Sequence, residues 1–430
     1  MATTADAAAA DLESAVAKAR RRLIPFLFLL YIVAYLDRIN VGFASLQMNQ
    51  ALGFSASVYG FGAGIFFLGY TLFEVPSNVI LARVGARVWI ARIMITWGLA
   101  SSAMMFVRNA PMFYALRFLL GVAEAGFFPG IIYYLTQWFP ARERARTVAA
   151  FMTAVVAAGI VGGPISGALL TLNGFGGLAG WQWVFLLEGL PAIVLGFVVM
   201  RVLTERPHEA AWLTPAERAA LIARLDEAAG GVERKTLSVL RDGRTWLLAM
   251  IYFTTPVTSY GVGFWLPQMI KSASGARDWV VGLLSAIPYA VGAAAMLVVG
   301  RHSDRTGERR WHVLIAALVS GAGLVLAPVS ANVMWTLATL SIAMAGVSSM
   351  YGPFWALATG RGAQRMASMT GAAAAASIAL INSVGNTGGF LGPYLLGAVN
   401  DATHSFAVAL YVIAAILAVG GALVLFIPEN

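Results

Sequence analysis

From Leu23 onward the chain alternates long apolar runs with short polar connections, the spacing of helices that cross a bilayer at about 20 residues per span. Twelve runs of this kind occupy 23–48, 57–82, 87–107, 110–138, 146–172, 181–203, 244–270, 279–301, 311–329, 333–360, 366–398 and 404–427. In lipid the backbone must satisfy its own polar groups, so runs of this length predict helices and an all-α membrane protein. The pattern breaks between the sixth and seventh runs, where the chain turns polar and charged from Thr204 to Gly243. Within that break, TPAERAALIARLDEAAGG offers Thr214 as N-cap, Pro215 at the first helical position, Glu217 three residues after the cap and Gly230 as a stop. Leu213, Leu221 and Leu225 give this short helix an apolar face suited to the membrane or to the bundle; a plain linker is the alternative. The predicted organisation is a tail (1–22), a six-helix half (23–203), a linker (204–243) and a second six-helix half (244–430).

Composition agrees with the pattern. The 430 residues are 59% hydrophobic and 11% charged, against about 25% charged in soluble proteins. The first 22 residues are too polar for a cleaved signal, so the first run is expected to stay in the mature protein. Of the 29 Lys and Arg, 24 fall in the N-terminus, the even-to-odd connections and their flanks, against Arg108, Lys271 and Arg277 on the other side. The positive-inside rule then places both termini in the cytoplasm. It also accounts for the net charge of +9 without a nucleic-acid partner. There is no Cys, which excludes disulfides, thiolate metal sites and cysteine nucleophiles, and the four His are scattered. No metal or other cofactor is expected. Arg outnumbers Lys 26 to 3 amid abundant Ala and Gly, which points to a GC-rich bacterial source and hence to the inner membrane.

The two halves repeat. Arg83, Gly85, Arg87 and Trp89 recur 222 residues later as Arg305, Gly307, Arg309 and Trp311, and GGPISG (162–167) is echoed by LGPYLLG (391–397). Paired repeats with a site between them are the design of a secondary transporter.

Six plus six spans, a middle loop and the run Gly300, Asp304, Arg305, Gly307, Arg309 and Arg310 resemble the major facilitator superfamily over the whole chain. More narrowly, YLDRINVGFA (35–44), FFLGYTLFEVPSN (66–78), RFLLGVAEAGFFPG (117–130) and INSVGNTGGFLGPYLLG (381–397) resemble the anion:cation symporter family. Its bacterial members import organic carboxylates, including sugar acids, tartrate and aromatic acids, with protons; its animal relatives include sialic acid and vesicular glutamate transporters. Two features depart from the pattern. Ala82 stands where the superfamily often has Asp, so a loop charge gate is expected in the second half alone, and the connection 358–370, with Arg361 and Arg365, is long.

Six charges lie inside spans: Asp37, Arg38, Glu74, Arg117, Glu124 and Glu188. An Arg or Asp costs about 2.5–3.5 kcal/mol at a helix centre on insertion scales, and all six should face the bundle interior or a watery cavity. Arg117 and Glu124 sit seven residues apart on one face of span four, with Gly121 between them leaving room for a ligand or a helix. An acid and a base on each of spans one and four suggest two ion pairs. These pairs either hold helices together or couple solutes. In the second reading a carboxylate competes with Asp37 or Glu124 for a guanidinium, and the displaced acid takes a proton. Arg suits the anion because its planar fork matches a carboxylate.

Resemblance to the sugar-acid symporters implies that Arg38 and Tyr70 contact substrate, that Asp37 and Glu124 carry protons, and that Arg117 tunes Glu124. Arg117 as a second substrate ligand is the alternative. Glu74 and Glu188 read as helix-end pairing or gating residues. In the second half Asn382, Asn386 and Trp355 are candidate substrate ligands, with Tyr351, Thr258, Tyr260 and Gln268 as further polar groups, and helix–helix hydrogen bonds are the plainer alternative for each. The small-residue runs allow close helix approach, and no phosphate-loop motif occurs. The expected function is proton-coupled import of an organic carboxylate by a monomer, with exchange or facilitated transport of another organic anion as the alternative. A sensor and an enzyme are disfavoured, because no signalling domain or catalytic set is recognisable.

Overall fold

The computed structural model describes residues 4–229, 241–330, 332–359 and 371–427. All regular structure among them is helical: α1 (Thr4–Leu52), α2 (Ala56–Val84), α3 (Ala86–Ala103), α4 (Ala110–Glu124), α5 (Phe127–Thr136), α6 (Ala141–Leu170), α7 (Gly180–Val202), α8 (Pro215–Ala229), α9 (Gly243–Ser274), α10 (Asp278–Thr306), α11 (Arg310–Leu326), α12 (Val333–Thr359), α13 (Gly371–Thr403) and α14 (Phe406–Leu423). Eleven stretches are long and apolar enough to cross a membrane. With α13, 33 residues long but richer in polar and small residues, they follow the order the twelve runs predict. The connection carrying Arg361 and Arg365, and the expected stop at Gly230, lie outside the described residues.

Two boundaries differ from expectation. The tail is not separate: α1 runs unbroken for 49 residues from Thr4 into the first span. The Ala-rich start favours helix, and Ala15 and Ala19 are buried in the same apolar cluster as Leu213 and Leu221. The linker helix α8 therefore lies on the bundle. Its capping box forms as the sequence predicts, with Glu217 N–H donating to Thr214 Oγ1 at 3.2 Å and Thr214 N–H to Glu217 Oε2 at 2.9 Å. Glu217 also accepts from Ser14 Oγ at 2.6 Å and Lys18 Nζ at 2.9 Å, which pins α8 to α1.

The fourth run is the second difference. It breaks directly after Glu124, where Gly126 adopts φ +86 before α5 restarts. Ser77 Oγ donates to the Ala125 carbonyl at 2.6 Å, satisfying a group the break frees. Ser77 fills the space beside Gly126, so a side chain there would meet both the strained backbone and that hydroxyl.

The halves meet along α2 with α13 and α6 with α10. Gly163 of α6 faces Gly282 of α10 so closely that a methyl group on either would strike the other's carbonyl, which explains the small-residue run. Ties between the halves gather at the face opposite the termini. There the Asp401 carboxylate accepts from the N–H groups of Ala56 and Ser57 at 2.9 and 2.8 Å, at the start of α2. Gln47 Nε2 donates to Asp278 Oδ2 at 2.8 Å, and Tyr59 Oη to the Phe264 carbonyl at 2.7 Å. Gln268 Nε2 reaches Ser45 Oγ at 2.7 Å.

Candidate functional site

Arg38, on α1, ion-pairs with Glu124 at the end of α4. Both are withdrawn from solvent, the arginine side chain 11% exposed and the glutamate 1%. The Arg38 guanidinium carbon lies 5.4 Å from the ring centres of both Phe66 and Tyr70 on α2. Arg38 Nη1 donates to Tyr260 Oη on α9 at 3.2 Å, so one guanidinium touches both halves. Phe67 packs on Tyr260 at 4.4 Å, closing an aromatic wall around the pair. A buried arginine held by cation–π contacts and one carboxylate keeps its fork organised for a second anion.

The four-residue set that the sequence suggests comes apart into one ion pair and two separate sites. Arg117 is fully buried but makes no ion pair among the described residues. Its Nε and Nη2 donate to the carbonyls of Gly62 and Ala63 at 3.3 and 2.9 Å, and the Phe66 ring lies 5.1 Å away. Seven residues place Arg117 and Glu124 on one face, yet two turns are too far for a direct bond, and the α2 carbonyls intervene. Gly121 between them is filled by the α2 backbone at Phe66, so its smallness serves helix packing. Asp37 is likewise buried and faces away from Arg38. It accepts from Trp97 Nε1 at 2.6 Å, Ser101 Oγ at 2.7 Å and Asn40 Nδ2 at 3.2 Å. Adjacent residues on a helix point about 100° apart, which separates Asp37 from Arg38.

Across the interface, Asn382 Nδ2 on α13 donates to Glu74 Oε1 on α2 at 3.2 Å. Glu74 is thus an inter-half contact one turn beyond Tyr70. Asn386 stands one turn from Asn382 and is half-buried. Trp355 packs edge-on against Tyr252 at 5.0 Å, and Tyr351 Oη pairs with Ser259 Oγ at 3.2 Å, so these aromatics line the second half. Thr258 bonds back to the Thr254 carbonyl at 3.0 Å within its own helix. The partners that sequence reasoning missed are Trp97, Ser101 and Asp401; only Asn40, three residues after Asp37, carried a periodic signal.

A profile of the Major Facilitator Superfamily matches residues 27–377. The chain belongs to that superfamily. A putative tartrate transporter of Agrobacterium vitis is 50% identical over 428 residues, covering 98% of this chain and 97% of that one. A quinolone resistance transporter of Acinetobacter baumannii is 41% identical, covering 93% and 91%. Among solved structures, a bacterial homologue of the human lysosomal transporter Spinster, inward-facing and occupied, superposes with TM-score 0.76 at 16% identity, covering 94% of this chain and 96% of that one. That likeness concerns the fold. The protein is accordingly a multi-pass membrane transporter.

The superfamily's loop run lies at the end of α10. Gly307 takes φ +71 to end the helix, Arg309 Nη1 donates to Asp304 Oδ1 and Ser303 Oγ, each at 2.8 Å, and Arg305 is exposed one residue beyond Asp304. Gly300 sits one turn before Asp304, with open space where a Cβ would stand. In the first half, where Ala82 replaces the acid, Glu205 arrives from beyond α7 and accepts from the N–H groups of Ala86 and Arg87 at 2.6 and 2.8 Å. An acid therefore sits beside the first-half loop as well, supplied by a residue distant in sequence and bonded to backbone N–H groups.

Proposed function

We propose that this transporter imports an organic carboxylate together with a proton by alternating access, acting as a monomer in a bacterial inner membrane and needing no cofactor. The observation that carries the reading is the buried Arg38–Glu124 pair, joined through Tyr260 to the opposite half. A substrate carboxylate reaching Arg38 competes with Glu124 for the same guanidinium. Once displaced, Glu124 is a carboxylate without its cation in a buried setting, and taking up a proton removes that cost. Anion and proton together keep the occupied site near its original charge, so the halves can rock over it. Tyr70, Asn382, Asn386 and Trp355 contribute hydrogen bonds and ring faces that shape the substrate, and Arg117 sets the field around Glu124 from behind α2. With the arginine-rich face taken as cytoplasmic, the contacts at Asp401, Asp278 and Tyr59 close the outer side.

A tartrate-like hydroxy acid is the first substrate to try, given the relative 50% identical to this chain. The relative named for quinolone resistance favours a second reading, export of an organic anion by the same hook. Purified protein in thermal-shift assays against tartrate, gluconate and 4-hydroxyphenylacetate at two pH values, followed by uptake into proteoliposomes under an imposed proton gradient, decides between them. Acid-driven accumulation of one panel member supports import. Binding without inward accumulation, with exchange of protons for outward solute, supports export.

A further inference from the structure

Another buried acid, Glu188 on α7, takes no part in the anion site. It is 5% exposed and lies within the 23-residue helix α7. Its Oε1 accepts from Ser166 Oγ of α6 at 2.7 Å, while its Oε2 is buried with no hydrogen-bond partner among the described residues. The charged group that faces it among the described residues is Asp37 of α1, and the Asn40 side chain lies between the two acids, within reach of both. From α3 the groups nearby are neutral, Ser101 and Trp97, and they bond to Asp37.

Donor arithmetic separates the two carboxyls. An ionised carboxylate only accepts, and an orphaned charged oxygen in lipid surroundings is costly. Asp37 has donors on both oxygens, two at Oδ1 and one at Oδ2, which is the environment of an ionised acid. Among the described residues Glu188 has one direct hydrogen-bond donor, Ser166, an oxygen without a partner and no cation beside it. Asn40 Oδ1 is also buried without a partner among the described residues. A proton on Glu188 removes the charge from its free oxygen, which then has no ionised lone pairs left unmet in a buried setting.

We propose that Asp37, Asn40 and Glu188 form a two-acid proton store inside the first half, in which Glu188 holds the proton in the conformation seen here and releases it during the transport cycle. This deepens the proton-coupled reading and rests on it. Protonation and anion binding are thereby housed separately: the store lies among α1, α3, α6 and α7, and the anion hook lies between α1, α2, α4 and α9. Glu188 touches no substrate; it acts through Asp37.

Two measurements on the full-length protein test this. Infrared difference spectra of wild type minus Glu188→Gln should show the carbonyl band of a protonated carboxylic acid at neutral pH. In proteoliposomes with tartrate as probe, the ratio of gradient-driven accumulation to counterflow should fall about tenfold in Glu188→Gln, the size of ordinary coupling between sites. Absence of the infrared band would show Glu188 ionised and overturn the proposal. So would a band accompanied by an unchanged ratio and pH profile, which would make Glu188 a fixed hydrogen-bond donor. If Glu188→Gln does not fold, Ser166→Ala keeps both acids and removes a donor that favours the carboxylate. The midpoint of uptake against pH should then move upward, and an unmoved midpoint overturns the coupling role. Wild-type protein that shows the band but transports no panel acid with protons overturns the transport reading, and the coupling role with it, while the protonation result stands apart.

Discussion

The two halves repeat in sequence but divide the chemistry unequally. All six intramembrane charges lie in the first half, on α1, α2, α4 and α7, whereas the second half faces it with Tyr260, Asn382, Asn386, Tyr351 and Trp355. A symmetric scaffold therefore carries an asymmetric site. The first half can change charge, and the second can only offer hydrogen bonds and ring faces. Such a division suits the proposed symport, in which the half that would bind the anion can also balance its charge.

Mutations on the two sides should differ in size. Arg38→Ala removes the hook and strands Glu124, a loss of about 3–5 kcal/mol for a broken buried pair. Substrate affinity should fall more than about a hundredfold by thermal shift or calorimetry; near-native affinity would move the anion site to Arg117. Asn382→Ala, on the neutral side, should cost about 0.5–1.5 kcal/mol, a loss of about two- to tenfold in affinity. An effect as large as that of Arg38→Ala would erase the asymmetry.

The contacts proposed to close the outer side give a smaller effect. Asp401 caps the start of α2 from the opposite half, and anions at a helix N-terminus contribute about 0.3–1 kcal/mol. Asp401→Ala should raise the outward-open population by up to about fivefold. The chain contains no Cys, so a single Ser45→Cys, buried in the closed state, reports this as faster labelling by an impermeant thiol reagent. Unchanged labelling would show that the other contacts hold the closure alone.

The mildest effect lies outside the membrane. Glu217 is held down to about 2, from an ordinary value of 4.5, by the hydrogen bond from Lys18, then by Ser14 and the Thr214 N–H. A depressed carboxyl contributes stability that is full above the ordinary value and is lost as pH falls through the folded one. The grip of α8 on α1 should therefore weaken between about pH 4.5 and 2, seen as faster amide exchange in α8. In Glu217→Gln, exchange in α8 should be fast already above that window and should lose this pH dependence.

Much of this was legible in the sequence because a bilayer constrains length and polarity so tightly. Twelve runs, the linker's capping box and the interior placement of the charges follow from apolar periodicity and the cost of charge in lipid. Pairing did not follow. Helical spacing says which face a residue occupies, not which neighbour that face meets, so Arg38 was found with Glu124 of another helix while its sequence neighbour Asp37 turned to Trp97 and Ser101. The break at Gly126 was also hidden, since Gly and Pro129 are common within spans, and only Ser77, far away in sequence, makes the interruption affordable. Asp401 carried no signal because a helix N-terminus in space cannot be read from a lone acid at the end of another helix.

The central claim is that anion binding at Arg38 drives a proton onto Glu124. It is tested most directly by measuring, with a pH indicator in weakly buffered detergent solution, the protons taken up when substrate is added to purified protein. Wild type should take up about one proton per substrate bound, and Glu124→Gln should still bind substrate while taking up none. Substrate binding to wild type without proton uptake, or undiminished uptake in Glu124→Gln, would contradict the account.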